Sequence, residues 1–205
     1  MPKDHGNDPD PVTASQMVDL MANAARMGKS EYQRRRGRLE RLTRPSPLIP
    51  SGQFEVPAIP YRSRFNVSEK FDCSRCDAVP FDGVSDSFRG VFGNTTVGSR
   101  SAYKIEMLDL PAGQVMPDVD ARRDMHEFYE LDMAAVWDVF VGHFVHKSGF
   151  LKADATHVFY AFEGSGKVWG LIAKFPSLTG RVTMHLTEDT DPRPWQGPVR
   201  FFSHM

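Results

Sequence analysis

The sequence predicts an α+β fold: a mostly antiparallel sheet packed against one long amphipathic helix, preceded by a basic helical N-terminal arm. Three observations predict it. Apolar residues recur at spacings of three and four from Asp124 to Phe144, the segments on either side alternate with a period near two, and Arg and Lys crowd the chain before residue 45. The 205 residues (23.1 kDa) therefore divide into a partly flexible arm, 1–50, and a globular domain, 51–205. A body of about 155 residues buries roughly two-thirds of its unfolded surface, enough to stand without metals or disulfides.

In the arm, Thr13 with Gln16 and Ser30 with Gln33 have capping-box spacing, in which cap oxygen and third-residue amide satisfy each other's open backbone groups. The first helix, about Ala14 to Met27, places Met17, Leu20, Met21, Ala24 and Met27 on one stripe. Such stripes usually pack on the chain's own core, but flexible thioethers also suit adaptable partner surfaces. Met17, Leu20, Met21 and Met27 are therefore the candidate partner-binding residues. The second helix, about Glu31 to Leu42, has Arg on most faces and few apolar anchors, so alone it is marginal in water. Pro45, Pro47, Pro50, Pro57 and Pro60 then impose an extended strap.

Beyond it, Phe54–Ile59, Arg62–Lys70, Phe88–Val97 and Ala102–Leu110 read as strands bounded by Gly, Pro, Asp and Ser. Asp124 is expected to cap the long helix with Glu127 reaching back, and Tyr129, Met133, Val136, Trp137, Phe140 and Phe144 form its stripe. Thr156–Phe162 and Lys167–Phe175 flank the glycine-bearing turn Glu163–Gly166, and Arg181–Thr187 completes an antiparallel meander. In that last strand Val182, Met184 and Leu186 share one face.

Composition narrows function. With 40% hydrophobic and 25% charged residues, and no apolar run long enough for a bilayer, a membrane-spanning protein is excluded. The N-terminus has no apolar signal core, and two cysteines cannot build a secreted disulfide framework, so an intracellular, cytoplasmic location is expected, with the nucleus or a virion as further destinations. The sequons Asn66-Val-Ser68 and Asn94-Thr-Thr96 are then incidental. The near-neutral total conceals a division: residues 26–44 carry a net +6, residues 1–50 a net +3 and the remainder −4.

Several constellations invite chemistry. Cys73-Ser-Arg-Cys76 and His143-Phe-Val-His146 would supply four zinc ligands if the fold united them, but 66 residues separate the pairs, far beyond compact zinc modules. Surface histidines and ordinary thiols are the preferred reading. Asp72 and Asp77 also oppose thiolate formation at the CxxC. His126 falls within the stripe of the expected helix, in its first turn, where it is either a satisfied core group or a general base. Asp118-Val-Asp120 suits a turn ahead of a helix dipole. Nucleophile elbows, Walker loops, dinucleotide fingerprints and HExxH are absent from the sequence, and no cofactor is expected.

The strongest physical signal is Arg34, Arg35, Arg36, Arg38, Arg41 and Arg44, six arginines in eleven residues. Each can release a counterion from phosphate, giving salt-sensitive binding to nucleic acid; anionic lipid headgroups would attract them equally, and a nuclear import receptor could read them. The reading is a non-enzymatic structural protein whose arm binds a polyanion and whose body self-associates into a homo-oligomer. That organisation resembles viral matrix or coat proteins, which join a basic, proline-punctuated arm to a compact β-rich domain. One alternative is a small enzyme with a pocket around His126, Tyr129, Asp132 and His157. Another is a host-interaction or regulatory module recognised through residues 13–44.

Overall fold

The computed structural model describes residues 46–61, 63–72, 78–126, 129–163, 167–187 and 194–205. The two expected arm helices, with the methionine stripe and the six arginines, lie outside these residues, as do Cys73 and Cys76. The elements below belong to one unit, Pro47–Met205.

The fold is α+β, a seven-stranded mixed sheet with a few short helices. In chain order the elements are β1 (Ile49–Val56), β2 (Phe65–Asn66), α1 (Val67–Lys70), β3 (Phe81–Val84), α2 (Asp86–Phe92), β4 (Thr96–Val97), β5 (Tyr103–Leu110), β6 (Val115–Met116) and α3 (Asp118–Asp124). There follow α4 (Met133–Phe144), β7 (Thr156–Phe162), β8 (Val168–Lys174), β9 (Val182–Thr187), β10 (Trp195–Gln196) and β11 (Val199–His204). The sheet runs β1-β5-β11-β7-β8-β9-β3, and β6–β10 and β2–β4 form separate two-stranded ribbons.

The expected meander is present: Phe162 opposes Val168 in the β7–β8 hairpin, and Ala173 opposes Met184 across β8–β9. The sheet is nevertheless mixed, because β11 lies parallel to β7 and β3 parallel to β9. Neither strand was foreseen. Pro80, Asp82 and Gly83 break up the apolar pattern at β3, and β11 is buried at five of its six positions, so it lacks the alternation by which a half-exposed strand is recognised.

Three further expectations change. Of the described residues in Arg62–Lys70 only Phe65–Asn66 is strand: Asn66 then caps α1 by accepting from Ser68 N at 3.2 Å, and only Val67 of that helix is buried. Phe88–Val97 starts inside a helix. Ser85 Oγ accepts from Phe88 N at 3.3 Å, and Phe88 and Phe92, four residues apart, bury together with ring centroids at 5.4 Å. The long helix begins eight residues later than expected. Asp124 ends α3, Leu131 bridges to Ala161 beside β7, and Asp132 caps α4 by accepting from Ala135 N at 2.8 Å.

Strand alternation builds two cores. On one face, Ile105 and Met107 of β5, Phe202 of β11, Phe159 of β7, Leu171 of β8 and Met184 of β9 pack with α4 and the Phe71, Phe81 and Phe88 rings. Phe159 and Phe202 stack at 4.5 Å, 10° from parallel. On the other face, Leu108, Leu110, Val158, Tyr160, Val199 and Phe201 are covered by Met116, Ala121 of α3 and Met125. Among the described residues no helix is long and apolar enough to cross a membrane.

Candidate functional site

Three clusters of charged and polar side chains, buried or half-buried apart from Lys152, lie in this frame. The first follows from strand register: Asp109 of β5, Arg200 of β11, His157 of β7 and Ala173 of β8 stand opposite one another in a row across the sheet. Arg200 is only 5% exposed, and it forks onto Asp109 through Nε (2.7 Å) and Nη2 (3.1 Å) while Nη1 donates to the Phe150 carbonyl (2.6 Å). Lys152 Nζ adds a contact to Asp109 at 2.6 Å. Burial works against the Asp109 charge, but the Arg200 and Lys152 hydrogen bonds outweigh it and hold the carboxyl down at about 2.

His157 is fully buried in that row. Its Nε2 accepts from Lys152 N at 2.9 Å, so Nδ1 carries the proton and donates to the Ala173 carbonyl at 3.3 Å. Burial pushes its pKa down to about 4, with Arg200 and His143 repelling a second proton and the Ala173 carbonyl only partly compensating.

The second cluster sits at the start of α4. Arg100 Nη1 lies 2.8 and 2.7 Å from the two oxygens of Asp132 and 3.1 Å from the Tyr103 hydroxyl, while Nη2 reaches Asp138 at 2.8 Å. One guanidinium thus serves two carboxylates. Burial raises Asp138 to about 6, since its share of Arg100 is incomplete and Asp132 repels it. Burial and Asp132 also raise the Tyr103 phenol. Beside the cluster is a depression of about 210 Å³ lined by Pro57, Ile59, Arg64, Lys70, Arg100 and Asp138.

The third cluster lies on the other sheet face. Asp118 Oδ1 accepts from the Tyr160 hydroxyl and from Trp195 Nε1 (2.8 Å), and Arg122 Nε lies 2.7 Å from Oδ2 with its guanidinium 4.7 Å from the Tyr160 ring centre. Burial, then Asp118, pushes the Tyr160 phenol well up, so it stays a donor. Asp118 and Asp120, expected to flank a turn, form the first turn of α3.

The residues expected to share a pocket are distributed instead. His126 is exposed and outside α4, with its backbone N donating to Ser203 Oγ at 3.3 Å. It left the stripe because α4 starts at Met133. Tyr129 packs edge-on to Tyr160 at 5.3 Å, on the face away from α4. Asp132 and His157 belong to separate clusters near opposite ends of α4: Leu131 bridges to the end of β7, whereas His157 near its start has the late-helix His143 as a neighbour. His143 is half-buried and Nδ1 accepts from Leu151 N at 3.2 Å; His146, beyond the helix end, is exposed. Burial, then Lys147, pushes the His143 pKa down. Among the described residues no three His, Cys, Asp or Glu side chains are grouped to hold a metal ion.

Arg100, Asp109 and Arg200 were not expected as site residues. For Asp109 and Arg200 a signal was available: Asp109 stands between Leu108 and Leu110 and Arg200 between Val199 and Phe201, single charges in apolar strand runs, whereas Arg100 lies between two serines. A charge there must find a counterion when buried. Each carboxylate of the clusters is engaged by a cation, whereas Arg100 Nε is buried with no acceptor among the described residues, and the clusters tie β5, β11, β7, α3 and α4 together. Comparison with known proteins finds no matching family model, curated protein or solved structure.

Proposed function

We propose that the chain is a non-enzymatic assembly protein: arginines 34–44 bind a phosphate-bearing polyanion, and the body associates with further copies. The observation that carries the reading is the charge division, +6 over residues 26–44 against −4 over residues 51–205. Six arginines at that density release several counterions from a phosphate chain or an anionic bilayer, while the net negative body adds no comparable attraction. The outer strand β1 supports self-association, because seven of its eight residues are exposed or half-exposed and its outer edge, which no described strand pairs, can take up another strand. Pro50 and the register shift at Ser51 restrict such pairing to residues 52–56.

The enzyme alternative requires His126, Tyr129, Asp132 and His157 to converge, and they lie on both sides of the sheet. The test is a salt titration of full-length protein against single-stranded RNA and, separately, phosphatidylserine vesicles, with Arg34, Arg35, Arg36, Arg38, Arg41 and Arg44 changed to Gln. Wild type should lose affinity log-linearly with salt, by about 0.7 in slope per phosphate contact on a single strand, and the variant should lose most of that slope. The target that responds identifies the polyanion. Equal, salt-insensitive binding by both proteins to both targets refutes the proposal.

A further inference from the structure

The segment 147–155, between α4 and β7, is held by an unusual set of contacts. Two consecutive amides are each received by an imidazole: Leu151 N by His143 Nδ1 at 3.2 Å and Lys152 N by His157 Nε2 at 2.9 Å. The carbonyl just before them, on Phe150, accepts from Arg200 Nη1 at 2.6 Å, and the Lys152 side chain closes on Asp109. The Phe150 ring stacks on Phe54 of β1 at 4.3 Å, and Leu151 is buried. Against these anchors, Lys147 (φ 57°) and Asp154 (φ 61°) hold left-handed backbone that non-glycine residues avoid.

We infer that residues 147–155 form an acid-released strap: two neutral imidazoles latch it, and protonating them unlatches it. An imidazolium has N–H on both nitrogens and cannot accept an amide hydrogen bond. Protonated His157 or His143 would instead point an N–H at the Lys152 or Leu151 N–H, so charging and latching exclude each other.

The surroundings reinforce this. Facing His157 are Arg200 from β11, Lys152 from the strap, His143 from α4, Asp109 from β5 and the Ala173 carbonyl from β8. Only Asp109 and the carbonyl favour a second proton, and Asp109 is already bound by two cations. Facing His143 are Lys147, His157 and the Phe144 and Phe175 rings, both steeply inclined to the imidazole. When the strap leaves, the imidazoles reach water and take up protons, while Phe150, Leu151 and Phe54 are uncovered. The inference is independent of the polyanion reading.

The direction follows from linkage. A histidine whose folded pKa lies below its free value loses stabilisation as pH falls from the free value to the folded one. For His157 the free value is 6.5 and the latched ring resists a second proton down to about pH 4, so its proton alone should raise the released fraction roughly a hundredfold between pH 7 and pH 4. His143 adds to this in the same direction.

The experiment is amide hydrogen exchange on the full-length chain from pH 7 to pH 4, corrected for the intrinsic pH dependence of exchange. Leu151 and Lys152 should lose protection about a hundredfold while Phe159 and Leu171 in the sheet stay protected. His157→Gln, whose side-chain oxygen can accept from Lys152 N without titrating, should remove most of that pH dependence, and His143→Asn part of it. Imidazole 15N shifts of wild type supply a readout that needs no variant: His157 should remain neutral, protonated on Nδ1, wherever the strap amides are protected. Three results would each overturn the proposal: strap protection constant with pH, His157 charged while Lys152 stays protected, or strap and sheet amides losing protection in step.

Discussion

Replacing Arg200 by Met keeps an unbranched stem of similar reach but removes a cation that makes three hydrogen bonds to oxygen, two to Asp109 and one to the Phe150 carbonyl, and a longer one to Met107 Sδ. Breaking a buried ion pair by deleting one partner costs about 3–5 kcal/mol. Asp109 would not be stranded, because Lys152 Nζ remains 2.6 Å away, which places Arg200→Met near the lower end, about 3 kcal/mol. Asp109→Asn is the harsher change. It leaves Arg200, 5% exposed, with no carboxylate, while the half-exposed Lys152 returns to water, so about 4–5 kcal/mol is expected. The double variant carries no buried unpaired charge and should fall short of the sum by about 2–3 kcal/mol. Urea denaturation at pH 7, with unchanged m-values, measures all three, and melting should drop by roughly 6–12 °C for Arg200→Met. An Arg200→Met cost under about 1 kcal/mol, an Asp109→Asn cost below that of Arg200→Met, or an additive cycle refutes the reasoning.

Two predictions concern the start of α4. Asp132 both caps the helix and pairs with Arg100, so Asp132→Ala should cost about 2–4 kcal/mol, whereas Asp132→Asn keeps the cap and should cost about 1–2; equal losses in urea denaturation would show that the cap contributes nothing, and an Asp132→Asn as stable as wild type that the charge contributes nothing. Asp138 has a folded pKa of about 6 against 3.8 for an ordinary carboxyl, so it binds protons in the fold that the unfolded chain has released. The stability difference, wild type minus Asp138→Asn, should therefore fall as pH rises from about 4 to about 6; a difference that is flat or rises over that window contradicts the assignment.

The meander was legible because its turns and alternation are local. Glu163–Gly166 announces the hairpin, and Val182, Met184 and Leu186 line up at period two in the sequence as in the sheet. The helix stripe at Met133, Val136, Trp137 and Phe140 was legible for the same reason. Its start was not, because Asp124 and Asp132 both precede it and local chemistry favours either as a cap; pairing of Leu131 with Ala161, thirty residues away, selects Asp132. Phe88–Val97 carried both a strand-like composition and an i, i+4 phenylalanine pair, and packing of Phe88 on Phe71 decides for the helix.

The site was the least legible part. Each cluster joins residues separated by tens of positions: Arg100 with Asp132 and Asp138, Asp109 with Arg200, Asp118 with Tyr160 and Trp195. Such pairing depends on strand order, and strand order depends on β11, the last strand of the chain, entering between β5 and β7.

By itself the sequence determined the charge division, the meander, the apolar stripe of α4 and the α+β class, since each is written in neighbouring residues through period, turn chemistry or composition. Tertiary structure alone decided that the sheet is mixed, that His126 faces solvent while His157 lies in the core, and that Arg200 meets Asp109. A buried charge or imidazole is tolerated only where a distant strand brings its partner, and that meeting has no local signature.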